Sequence, residues 1–159
     1  MGRFIRTVVL GAALAALFQA TGLSAEASNP LIGTWQFNPA KSTFTGLAPK
    51  GQLRTYAIAG DAEKLTAKGI SADGKPTLVK YTARYDGKDY AITGSSGGDM
   101  ISLKRIDEFT TESTQKRAGK AVIITTRVVS KDGKTLTVTS KGTNAKGETM
   151  NNVMVFDRR

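Results

Sequence analysis

The side chains that most often do chemistry are sparse in this chain. Its 159 residues include no histidine and no cysteine. That removes imidazole bases, thiol nucleophiles, disulfides and the nitrogen and sulfur donors of most transition-metal sites. A serine with a lysine three positions on, a pairing in which the amine can activate the hydroxyl, occurs at Ser113-Thr114-Gln115-Lys116. That chemistry needs the serine at the start of a helix with Ser-Asp-Asn and Lys-Thr-Gly companions, and both companions are absent. Asp73, Asp86 and Asp132 each precede Gly-Lys, a setting in which aspartate serves turn geometry. Gly94-Ser95-Ser96-Gly97-Gly98 has no following Lys-Ser or Lys-Thr. Without a helix to present phosphate it reads as a flexible hairpin tip. No catalytic residue, cofactor site or metal site emerges, and a protein that is not an enzyme is expected.

Charge and apolar surface carry more information. Twenty-three Lys and Arg face 13 Asp and Glu, a formal net charge of +10, which favours anionic partners. Nucleic acid is not among those expected, because no basic stripe is interleaved with aromatics and aromatic content is 7%. With 40% hydrophobic residues and a mean hydropathy of -0.22, the composition is that of a globular chain with room for one core.

Arg3 and Arg6 precede an apolar run from Thr7 to Phe18, too short for a stable membrane anchor, and Ala25-Glu26-Ala27 follows. This arrangement predicts a secretory signal peptide over residues 1–27 and a single mature domain over 28–159, periplasmic or secreted. No cysteine follows the apolar run and the two arginines are not adjacent, so neither a lipid anchor nor a twin-arginine leader is expected. Cleavage removes Arg3, Arg6 and Glu26, one net positive charge.

The elements that must position any site are strands. From Gly33 onward short β-prone segments alternate with glycine turns, three of them Asp-Gly-Lys, and Asp-Gly suits tight hairpins because both residues tolerate positive φ. The punctuation predicts about ten strands, near 33–38, 52–58, 64–70, 77–85, 89–93, 100–105, 109–116, 120–129, 135–141 and 149–157. So long a meander closes rather than leaving two edges. The expected fold is therefore all-β, an up-and-down antiparallel barrel of about ten strands with eight as the alternative. Val79, Tyr81, Ala83 and Tyr85 alternate with Lys80, Thr82 and Arg84, and Ile101 and Leu103 alternate with Ser102 and Lys104, as a wall with one dry side requires. The second, eighth and tenth strands read ambiguously, which leaves the facing of Arg54, Tyr56 and Arg127 open.

The first strand, Gly33-Thr34-Trp35-Gln36-Phe37-Asn38, resembles the Gly-Thr-Trp opening of the calycin superfamily, which includes lipocalins, fatty-acid-binding proteins and avidins. Its continuation through Pro39-Ala40-Lys41-Ser42-Thr43-Phe44 looks like the opening of small exported bacterial lipocalin-like proteins. The resemblance implies a closed barrel around a small apolar ligand. It also implies a structural pairing of Trp35 with Arg158 or Arg159 across the closing seam, as lipocalins pack an early tryptophan against an arginine of the last strand. Two features depart from the fatty-acid-binding pattern. The segment 39–51 fits at most one helical turn, capped by Asn38 with Pro39 first, instead of a two-helix lid. The carboxylate-binding Arg-x-Tyr is missing, since Arg127-Val128-Val129 and Phe156-Asp157-Arg158 do not supply it.

Successive turns of a meander alternate between barrel ends. Segments 39–51, 71–76, 94–99, 117–120 and 142–148 fall at one end, and the shorter 60–63, 86–88, 106–108 and 131–134 at the other, which predicts a mouth and a base. Basic residues outnumber acidic ones around the mouth and the reverse holds at the base. The expected function is binding of a small hydrophobic or amphiphilic, anionic ligand. Tyr81, Tyr85, Val79, Ile101 and Leu103 are expected on the cavity wall, with Lys75, Lys120 and Lys146 drawing in the head group. Peripheral contact with anionic lipid and a monomeric state belong to the same expectation. The alternative is a protein-interaction module, such as a calycin-type protease inhibitor, acting through loops or Ser28-Asn29-Pro30. A barrel filled by side chains would favour that alternative.

Overall fold

The computed structural model describes residues 29–159, and the signal peptide expected over 1–27 lies outside them. Ten strands follow in order: β1 Gly33–Thr43, β2 Gly51–Ala59, β3 Ala62–Ile70, β4 Pro76–Ala83, β5 Tyr90–Thr93, β6 Met100–Arg105, β7 Thr110–Arg117, β8 Lys120–Val129, β9 Thr135–Thr143 and β10 Thr149–Arg158. Each pairs antiparallel with its neighbours, and β10 returns to β1 to close the barrel. The chain is thus the ten-stranded meander that its turn spacing predicts.

The turns form for a local reason. Ser71-Ala72-Asp73-Gly74-Lys75 and Ser130-Lys131-Asp132-Gly133-Lys134 repeat one pattern, in which the serine hydroxyl donates to the aspartate and the glycine N–H donates to the serine carbonyl at 3.0 and 2.8 Å. Gly74 and Gly133 sit at φ 88° and 70°, where a Cβ would be strained.

Closure rests on the Trp35 seam. Trp35 is 0% exposed, pairs in register with Arg158, and donates from Nε1 to the Leu31 carbonyl at 2.8 Å. The Arg158 guanidinium lies 4.1 Å from the Trp35 ring and also donates to the carbonyls of Ile32 (2.9 Å), Gly133 (2.5 Å) and Pro30. One cation thereby ties the segment before β1, the β8–β9 turn and β10 together across the base. Burying an aromatic of this size removes roughly 150–250 Å² from water, worth about 4–6 kcal/mol.

Inward positions near the base are large, and several at mid-barrel are small. Trp35, Tyr56, Leu103, Leu136 and Phe156 are essentially inaccessible and fill the lower barrel. Ala67, Ser113, Thr125 and Ser140 hold inward positions above them, and the space over these short side chains is hollow.

Two local expectations are corrected. Segment 39–43 makes no helical turn but continues β1 through a wide irregularity between Asn38 and Thr43. There Asn38 Oδ1 accepts from the Lys41 N–H, and Ser42 Oγ accepts from the Val155 N–H at 2.9 Å, so a side chain replaces the missing ladder bond. β4 stops at Ala83 rather than 85. Arg84 pairs with Asp61 at 2.9 Å and the Gly87 N–H donates to Leu103, which turns Tyr85 out of the strand. The seams beside β5 are short, with two paired positions on each side.

Candidate functional site

The hollow upper half is a cavity of about 500 Å³. Its rim is made by Leu47, Pro49, Ser71, Ala72 and the Gly94–Gly97 loop, so the opening lies at the end carrying the longer connections. The loop is no free hairpin tip. Arg117 donates to the carbonyls of Ser96 (2.9 Å) and Gly97 (2.6 Å), Ser95 Oγ donates to Gln115 at 2.6 Å, and a Cβ on Gly97 would meet Ile123 at 2.4 Å. The glycines let the loop fold inward over part of the mouth.

The floor is ionic. Arg127 on β8 and Glu63 on β3 are 3% and 1% exposed and meet at 2.7 Å between Nη1 and Oε1. Tyr81 donates to Glu63 Oε1 at 2.6 Å, Tyr85 donates to Oε2, and Arg127 Nη1 also donates to the Tyr81 oxygen at 2.8 Å. Glu63 is therefore fully engaged. Arg127 is not, because its Nε and Nη2 are buried with no hydrogen-bond partner among the described residues, as is the Tyr56 hydroxyl. The Arg127 guanidinium stands 5.5 Å from the Tyr56 ring centre. A second inward arginine, Arg54, lines the same cavity, held by Gln52 at 2.6 Å and lying 4.7 Å from the Phe156 ring.

These surroundings control protonation. Burial would lower the Arg127 guanidinium, but attraction to Tyr81, Glu63, Tyr56 and Tyr85 outweighs it, and the group stays charged. Burial, with smaller contributions from Glu63, lifts the Tyr81 and Tyr85 hydroxyls above their ordinary 10.0 against the pull of Arg127. Unfolded chains then release tyrosine protons from about pH 10 while the barrel retains them, so stability falls as pH rises through that region. In an alkaline titration followed at the tyrosinate band, Tyr81 and Tyr85 are expected to ionise only as the Trp35 near-ultraviolet dichroism is lost. Tyr85→Phe should remove one proton from that cooperative step. Ionisation of both near pH 10 in an intact barrel would contradict this account.

Val79, Tyr81 and Ile101 do line the cavity. Leu103 does not, since it is 0% exposed and packs in the lower core. Tyr85 lies off the wall, where its hydroxyl is spent on Glu63. Lys75, Lys120 and Lys146 are exposed and outside the lining. Lys75 is also paired at 3.0 Å with Asp73, whose carboxyl is held at about 2 by its bond from Ser71 and by Lys75. Turn lysines keep their ammonium groups in water, and the cations that face the cavity are Arg54 and Arg127 instead.

Glu63, Arg54 and Arg127 were not legible as a site. Glu63 falls in the expected base turn, whereas β3 begins at Ala62 and puts Glu63 on the inward face with Leu65 and Ala67. That parity, Glu63-x-Leu65-x-Ala67, is the one signal the sequence held. β8 carries apolar residues on both faces, with Ile124 and Val128 outward and exposed, so its parity is silent.

Fold and cavity together define a ten-stranded closed antiparallel barrel, plugged at one end and open at the other. No protein-family model matches the chain, and no curated protein matches it in sequence. Among solved structures, it is similar to the zebrafish ileal bile acid-binding protein complexed with cholic acid, with a TM-score of 0.51 and 15% identity over 82% of this chain and 99% of that one. At that identity the likeness establishes the fold.

Proposed function

We propose that this chain is an exported carrier that binds a small amphiphilic molecule in the barrel, apolar body against Leu65, Val79 and Ile101 and anionic head on Arg127. One observation carries the reading: Nε and Nη2 of a buried arginine, on a residue that lines the cavity, have no partner among the described residues. These two groups share one edge of the guanidinium and project in parallel, the fork that matches two carboxylate oxygens. Leaving such donors unpaired is costly, and a carboxylate reaching this edge from the cavity would satisfy both. The cavity of about 500 Å³ favours a ligand over the protein-interaction alternative, which a filled barrel would have suited. The solved neighbour, complexed with cholic acid, supports the same class of ligand and a binding rather than catalytic role. Exposed Leu47, Ile70 and Leu78 near the mouth, with Lys50, Lys68 and Lys80 beside them, support peripheral contact with anionic lipid.

Organic extraction and mass spectrometry of the natively purified protein test the reading. The expected result is an acidic amphiphile released from a chain that begins at Ser28, in a preparation that also sediments with phosphatidylglycerol vesicles. A chain that yields no small molecule and fails to bind dodecanoate overturns it.

A further inference from the structure

The cavity has two unlike sides, and the difference bears on the ligand's body rather than its head. On β3, β4, β5 and β6 the side chains lining the cavity are Leu65, Ala67, Val79, Ile92 and Ile101, hydrocarbon apart from Thr77 at the mouth end of β4 and Tyr81 at the floor. On the opposite side Ser113, Thr125, Ser140 and Asn152 stand in register with one another across β7, β8, β9 and β10 and all line the cavity. They form one continuous polar row over four neighbouring strands. Inward positions of a barrel that held only hydrocarbon would have no use for such a row.

The row is also placed relative to the arginine. Thr125 and Arg127 are two residues apart on β8, which sets the row roughly 7 Å above the head-group site at the usual strand rise. Thr125 Oγ1 and Ser140 Oγ lie 2.9 Å apart. One hydroxyl proton serves that bond, and the second proton and the remaining lone pairs are left for another partner. Asn152 accepts from the Thr45 N–H through Oδ1, which directs its amide donors elsewhere. A plain alkyl chain drawn over these groups would strip their water and return no hydrogen bond.

We infer that the preferred ligand is an acid whose body is hydroxylated along one side and bare along the other, such as a hydroxy fatty acid or a polycyclic hydroxy acid. Its hydroxyls lie on the Ser113–Thr125–Ser140–Asn152 row and its bare side on β3 to β6. This rests on the anionic-head reading above and adds the chemistry of the body.

The test uses acids matched in skeleton: 12-hydroxystearate against stearate, and cholate against the unhydroxylated cholanate, titrated calorimetrically into the purified protein. The hydroxylated member of at least one pair is expected to bind tenfold or more tightly. In Ser113→Ala combined with Thr125→Val and Ser140→Ala, that preference should shrink to within twofold, while affinity for the bare acid holds or rises. Ser113→Ala alone, the mildest change, should remove part of it. Equal affinities within both pairs in the unaltered protein, or a preference that survives the triple substitution, overturn the inference and leave the anionic-head reading standing. If no acid of either pair binds, the carrier reading fails and this inference with it.

Discussion

Glu63→Leu is expected to destabilise the barrel by about 3–5 kcal/mol, and Glu63→Leu combined with Arg127→Met by much less. The single substitution leaves a guanidinium under the cavity with no counter-ion among the described residues, because Arg127 Nη1 reaches Glu63 at 2.7 Å and its other nitrogens have no partner there. Against a total stability of about 5–15 kcal/mol for a domain of this kind, that loss can unfold a large fraction of the chains at growth temperature. The double substitution removes both charges, so neither has to be taken out of water, and what remains is the smaller cost of the Tyr81 and Tyr85 hydroxyls losing their Glu63 acceptor. Urea denaturation of the two single variants and the double variant reads the coupling directly. Additive losses in the double variant would mean that the pair does not act as a unit.

Arg127→Lys tests recognition rather than stability. Lysine keeps a positive charge opposite Glu63 but presents one ammonium in place of a two-donor edge. Loss of a buried charge-assisted fork costs about 2–4 kcal/mol, so affinity for dodecanoate is expected to fall roughly 30- to 1,000-fold. Dodecanol, which has the same chain and no charge, should bind the two proteins within about threefold. Equal losses for acid and alcohol would show that the substitution altered the cavity shape, and the head group would have to sit elsewhere.

The residues that make these predictions were the ones least visible in the amino-acid order. Leu65 and Ala67, Tyr81 and Ala83, Ile101 and Leu103, and Leu136 and Val138 all turn inward as their alternation indicates, because a strand with one polar face has its register chosen by the hydrophobic effect. The Ser-x-Asp-Gly-Lys turns are equally local, since their hydrogen bonds close within five residues. Arg127 lacked such a marker on a strand apolar on both faces. Its counter-ion is 64 positions away, across a barrel whose interior pairings depend on how far each strand is staggered against the next.

Sequence alone therefore determined a meander of about ten strands, the turn chemistry and which end carries the longer loops, because each follows from side-chain period or short-range hydrogen bonding, while the closing seam at Trp35 was implied by resemblance to the calycins. Tertiary structure decided that the base is plugged and the mouth hollow, that Arg127 is paired on one edge and unmet on the other, and that four polar side chains fall into one row. Those outcomes depend on closure and stagger, which bring distant residues to the same level of the barrel and which no local pattern encodes.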